Sequence, residues 1–129
     1  MVAEPKWLTY EQVVAIHGRQ LRRFGGAAGL RDESLLRSAI ERPLNKWHDD
    51  QAELPELAAA YAFGLAKNHA FVVGNKRIAF MSMMVSLRKN GVKFAPDPAH
   101  ATTIIMSLAA GEVSEESLTR WIRDNWPKA

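Results

Sequence analysis

In the stretch Asn75-Lys-Arg-Ile-Ala-Phe-Met-Ser-Met-Met-Val-Ser-Leu-Arg-Lys89, apolar residues stand at 78, 80, 81, 83, 84, 85 and 87, so a helix drawn through it is apolar on almost every side. A helix with so little polar surface is stable only when other elements surround it. The segment is therefore expected to be the central rod of a helical bundle. Asn90-Gly91 supplies its C-terminal stop.

The flanking sequence supplies helices to surround such a rod. Thr9-Tyr-Glu-Gln12 has the spacing of a capping box, and Val13, Ile16 and Leu21 follow at roughly helical steps until Phe24-Gly25-Gly26 ends the pattern. Asp32 can cap a second helix whose Leu35, Leu36, Ala39 and Ile40 share a face. Pro43 is expected to end it, because an internal proline removes a hydrogen bond and crowds the preceding turn. The segment from Leu44 to Leu54 is polar and reads as a loop. Pro55 suits the first turn of a third helix, with Leu57, Ala58, Tyr61 and Leu65 recurring up to Lys67. Beyond the rod, Asp97-Pro98 opens a fifth helix carrying Ile104, Ile105 and Leu108. Ser114, followed by Glu115 and Glu116, opens a sixth holding Leu118, Trp121 and Ile122. The alternation of half-buried strands is not evident, and there are no internal repeats. The expected fold class is all-α, a compact six-helix bundle.

The 129 residues match one core, so residues 1–129 are expected to form a single domain. With no cysteine, disulfides and thiolate zinc sites are excluded, and a cytoplasmic location is the default expectation. No apolar run approaches the length of a membrane span, and residues 1–6 show no apolar signal core. A formal charge of +3 could suit a polyanion, but Lys and Arg are scattered apart from short clusters such as Arg19-Arg22-Arg23. That distribution reads as solvated helix faces, so no direct nucleic-acid partner is expected.

Chemistry concentrates where the third helix breaks and the rod begins, at His69-Ala-Phe-Val-Val-Gly-Asn-Lys-Arg77. A helix N-terminus presents free N–H groups and the positive end of a dipole, a natural match for phosphate. Gly74 permits close backbone approach, and Lys76 and Arg77 add positive charge in the same turn. His69, six residues before Asn75, can fold back over that anion site and act as a general base near neutral pH. Phe71 can anchor the loop in the core. The segment thus describes a base, an anchor and a phosphate cradle.

With these residues the sequence resembles the Fic/Doc family, whose loop reads His-x-Phe-x-acid-Gly-Asn, followed by Gly-Arg in the Fic branch and Lys-Arg in the Doc branch. Lys76 falls on the Doc side, and Phe80 stands where the longer Fic motif has a second arginine. Ile16-His-Gly-Arg19, Phe24-Gly-Gly26, Gly29-Leu-Arg-Asp-Glu33, Ala39-Ile-Glu-Arg-Pro43 and Leu87-Arg-Lys-Asn-Gly91 extend the likeness over most of the chain. The resemblance implies a toxin that transfers a phosphoryl group from ATP, with magnesium, to a hydroxyl of elongation factor Tu. It also implies an antitoxin with a segment that folds on binding. In it His69 is the general base; Lys76 and Arg77 serve catalysis; and Gly74, Asn75, Lys76 and Arg77 hold the nucleotide phosphates. The alternatives are nucleotidyl (AMP) transfer, as in Fic proteins, and a catalytically silent antitoxin-binding module.

The sequence departs from that pattern at the metal-binding acid, which here is Val73. Valine offers no side-chain oxygen to a hard cation, so magnesium binding and transfer are expected to be impaired. Other candidates are weaker. His17 is expected to pack or face solvent, His48-Asp49-Asp50 to be a solvated loop, and His100 has no nameable partner. The methionines at 81, 83 and 84 are expected to fill the core. Four tryptophans are more than a small core readily hides, so some are expected to line a groove.

Overall fold

A computed structural model describes residues 3–27 and 29–128. Six helices follow one another: α1 (Tyr10–Phe24), α2 (Glu33–Asp50), α3 (Leu54–Asn68), α4 (Asn75–Lys89), α5 (Pro98–Ala109) and α6 (Glu115–Asp124). Most start where local chemistry dictates. The Thr9 hydroxyl accepts from Gln12 N–H while Gln12 Oε1 accepts from Thr9 N–H, closing the capping box. Asp32, Asp97 and Ser114 cap α2, α5 and α6 with their side-chain oxygens. Among the described residues the sole strand-like pairing is an isolated antiparallel bridge, Leu30 to Phe71.

Two expectations need correction. The second helix does not end at Pro43 but runs seven residues further, to Asp50, so most of the expected loop is helical. Pro43 is itself fully buried, and on either side of it Arg42 and Lys46 both reach the buried Glu115 at the start of α6. These contacts offset the roughly 3 kcal/mol that an internal proline costs. The carbonyl that loses its partner, on Ala39, lies against α3 at Gly64. A Cβ on Gly64 would sit 3.3 Å from Ala39 Cα and 3.4 Å from that oxygen.

The central rod is α3 rather than α4. It packs against α2, α4, α5 and α6, and ten of its fifteen residues are buried, five of them alanines. Small side chains let neighbouring helices approach closely, so an alanine- and glycine-rich helix occupies the middle. The bulkier α4 buries Ile78, Ala79, Ser82, Met83, Ser86 and Leu87 against α3 and α1 and leaves its other side partly open. Near the middle of α3 the Tyr61 hydroxyl accepts from Leu8 N–H at 2.9 Å and ties the N-terminal segment to the core. Burial pushes that phenol up to about 12.

Each tryptophan packs against another aromatic ring, and Trp7 also lines a small cleft with Lys6, Leu57 and Tyr61. Trp7 meets Trp47 edge-on with ring centroids 6.1 Å apart, while Trp121 and Trp126 both approach the buried Phe94. His48, Asp49 and Asp50 form the exposed last turn of α2 instead of a loop.

Candidate active site

The loop from His69 to Gly74 joins α3 to α4 across the surface where α1 and residues 29–32 converge. It opens on strain. His69 caps α3 in the left-handed region, φ 50° and ψ 49°, a conformation that costs a non-glycine residue about 1 kcal/mol or more. Arg31 holds it there, with Nε donating to the His69 carbonyl at 2.8 Å and Nη2 to the Asn68 carbonyl at 3.2 Å. These bonds also supply partners, and a positive charge, for the last carbonyls of α3. The next carbonyl, on Ala70, accepts from the N–H groups of both Arg31 and Asp32. His69 itself stays exposed.

The middle of the loop is pinned as the anchor reading expects. Phe71 is 2% exposed, and its ring lies flat against that of His17, with centroids 3.7 Å apart and planes 16° from parallel. The Asn75 side chain closes a ring of bonds with it: Oδ1 accepts from Phe71 N–H at 3.1 Å and Nδ2 donates to the Phe71 carbonyl at 3.0 Å. Val72 N–H donates to the Gly29 carbonyl. The Asn75 side chain is thus occupied in bracing the loop, and what this residue presents outward is its backbone N–H.

Gly74 is the N-cap of α4, at φ 82°, in a conformation that glycine adopts without the Cβ penalty. It has no side chain to cap the helix, and the first intrahelical bond runs from Ile78 N–H to the Gly74 carbonyl. The amides of Asn75, Lys76 and Arg77 are therefore left for a ligand or solvent. The first turn carries no acid. Lys76 is exposed and forms no ion pair among the described residues. Arg77 is exposed as well, its guanidinium 4.3 Å from the centroid of the exposed Phe24 ring at the end of α1. Bare amides and cations at the positive end of a dipole form a turn suited to an anion.

The donor set does not suit a magnesium ion. Val73 projects two methyl groups at the acid position and is 38% exposed. Its carbonyl is already engaged by His17 Nε2 at 2.8 Å. Among the described residues no three His, Cys, Asp or Glu side chains converge on a point that could hold a metal. A hard dication requires oxygen ligands, and at the acid position neither the Val73 side chain nor its engaged carbonyl offers one.

The structure therefore places His69 at one end of a braced six-residue loop and the Gly74–Arg77 turn at the other. Three supports of the loop were not read as such from sequence: His17, expected only to pack or face solvent and found packed, Arg31, and the side chain of Asn75, a residue expected to hold phosphate. The first two lie inside stretches singled out for their family likeness, Ile16-His-Gly-Arg19 and Gly29-Leu-Arg-Asp-Glu33, but their contacts cross 56 and 38 residues and no local pattern announces them.

Comparison with known proteins covers this same region. A family model described as the Fic/DOC family matches residues 7–87, from just before α1 to near the end of α4. The protein kinase doc of Escherichia phage P1 is 31% identical over 114 residues, which is 88% of this chain and 90% of that protein. The toxin Doc of Mycolicibacterium smegmatis is 42% identical over 76 residues, 57% of this chain and 58% of its own length. With a family match across α1 to α4 and a relative aligned along nearly the whole bundle, the chain belongs to the Fic/Doc family.

Proposed function

We propose that this chain is a phosphotransferase of the Doc type, the toxin of a toxin–antitoxin pair, with its catalytic step impaired by Val73. The observation that carries this reading is the uncapped first turn of α4, with its free amides, Lys76 and Arg77, at the end of a braced loop that begins at His69. In this reading Gly74, Asn75, Lys76 and Arg77 hold the phosphates of ATP, the first two through backbone. His69 accepts the proton of an incoming hydroxyl as its oxygen attacks the γ-phosphorus and ADP leaves. A relative bearing the name protein kinase doc supports phosphoryl transfer. Elongation factor Tu is the proposed target, and an antitoxin segment that folds on binding is the proposed partner. A cytoplasmic site of action fits both.

Charge stabilisation at a phosphoryl-transfer transition state is worth two to three orders of magnitude per lost group, by order-of-magnitude analogy with oxyanion donors. Val73→Asp is accordingly expected to raise transfer of the γ-phosphoryl label from ATP to elongation factor Tu by roughly 100-fold or more, in a magnesium-dependent manner, and to restore growth arrest. A folded Val73→Asp protein that transfers no label and spares growth would refute the reading. Label arriving from the α-phosphate instead would identify nucleotidyl transfer; Lys76 favours the γ-phosphoryl. Val73 also supports a second reading, a silent module that binds its antitoxin or a nucleotide without turnover.

A further inference from the structure

His17 takes no part in the chemistry proposed above, yet from α1 it meets the active-site loop at Phe71, Val73 and Gly74. It lies on the buried face of that helix beside Val13 and Ile16, and is 4% exposed. A buried imidazole is costly unless its nitrogens find partners. Here Nε2 lies 2.8 Å from the Val73 carbonyl oxygen, and because a carbonyl can only accept, the proton of this bond sits on Nε2. The same ring stacks flat on Phe71 at 3.7 Å. It also comes within 3.3 Å of where a Cβ on Gly74 would stand, so a residue other than glycine at 74 would press on Nε2.

These three contacts bear on the two ends of one short path. Phe71 follows His69 by two residues and is closed to Asn75 by its side-chain bonds. The Val73 carbonyl belongs to the peptide whose N–H is that of Gly74, so holding the oxygen orients that peptide plane and the entry into the bare turn of α4. Position 73 thus contributes through its backbone, which any residue retains, whatever its side chain has lost.

We infer that His17 is a positioning residue. From α1 it sets the orientation of the Val73–Gly74 peptide and the seat of Phe71, and so the placement of the α4 amides relative to His69. Its importance for ligand binding rests on the phosphate-binding reading above; its importance for loop order does not.

The test uses the full chain with His17→Phe, which keeps an aromatic ring on Phe71 but has no donor, and His17→Gln, whose amide can reach the carbonyl without the ring. In His17→Phe, hydrogen exchange at the Phe71 and Val72 amides is expected to quicken roughly tenfold while exchange at Leu57 and Leu65 in α3 is unchanged. ATP affinity, measured by calorimetry, is expected to fall by about the same factor. His17→Gln is expected to recover much of both losses. Equal behaviour of the two variants, or a folded His17→Phe with wild-type exchange at Phe71 and Val72, would overturn the inference. So would nitrogen shifts showing the wild-type ring proton on Nδ1 alone, a measurement that holds even if His17→Phe fails to fold. Absence of ATP binding by the wild-type chain would count against the functional reading, while the exchange measurement would still decide the role of His17.

Discussion

Replacing Asn75 with alanine separates its two contributions to the loop. The substitution leaves the backbone amide in place and removes both side-chain bonds to Phe71, at 3.1 and 3.0 Å. Phe71 is buried, so its N–H and carbonyl lose protein partners, each at a cost of about 1–3 kcal/mol. Asn75 is only partly buried, so water can enter and the lower end of that range applies to each group. Alanine's better helix propensity returns about 0.5 kcal/mol. The net loss is then about 1.5 kcal/mol, a sizeable share of the roughly 5–15 kcal/mol typical of a domain. With a urea slope of about 2 kcal/mol per molar, the unfolding midpoint is expected to drop by about 0.75 M. Asn75→Asp keeps the acceptor for Phe71 N–H but sets a carboxylate oxygen against the Phe71 carbonyl. Its negative charge suits the helix dipole yet repels a bound phosphate. It is expected to bind ATP more weakly than Asn75→Ala even where its stability is higher. A midpoint for Asn75→Ala within experimental scatter of the wild type would refute the bracing role. Tighter ATP binding by the aspartate variant would refute the anion site.

Two further outcomes follow from the contacts around the loop and the α2–α6 junction. Arg31→Met is expected to cost only about 1 kcal/mol in urea unfolding, since the lost bonds are exposed, but to lower transfer in the Val73→Asp background by roughly tenfold as His69 loosens. Unchanged transfer would remove Arg31 from the loop's support. At Glu115, burial pushes the carboxyl upward, but hydrogen bonds and charge from Arg42 and Lys46 outweigh it and hold the group below its ordinary 4.5. A depressed carboxylate contributes stability above its unfolded value and loses it as pH falls through the lower folded one. Glu115→Gln is therefore expected to melt below the wild type at pH 7 and to converge with it at acid pH below that folded value; a constant gap between the two melting curves would contradict the ion pair.

The helix starts were legible because their chemistry is local. Thr9 with Gln12, Asp32, Asp97 and Ser114 each satisfy amides within three residues of themselves. The bare start of α4 could be read for the converse reason: Gly74 has no side chain to offer, and lysine and arginine follow it where acids would be the easier choice. Sequence alone thus determined the all-α class and the position of five of the six helices to within a few residues, and it put forward the candidate site. It also determined the lack of a side-chain oxygen at Val73, a fact of composition that no fold can alter.

Tertiary structure decided the remainder. Pro43 ends helices in isolation, but Glu115, 73 residues beyond Arg42 and 69 beyond Lys46, engages both cations from the two sides of the proline, and the helix continues. The apolar α4 suggested a centre, but small side chains, not greasy ones, let α3 sit among four neighbours. Above all, the precision of the loop is non-local. His69 is held by Arg31 and Val73 by His17, through bonds between a side chain and a distant carbonyl. A carbonyl is the same at every residue, so sequence cannot say which one a side chain will meet; only the packing of α1 and residues 29–32 against the loop makes that choice.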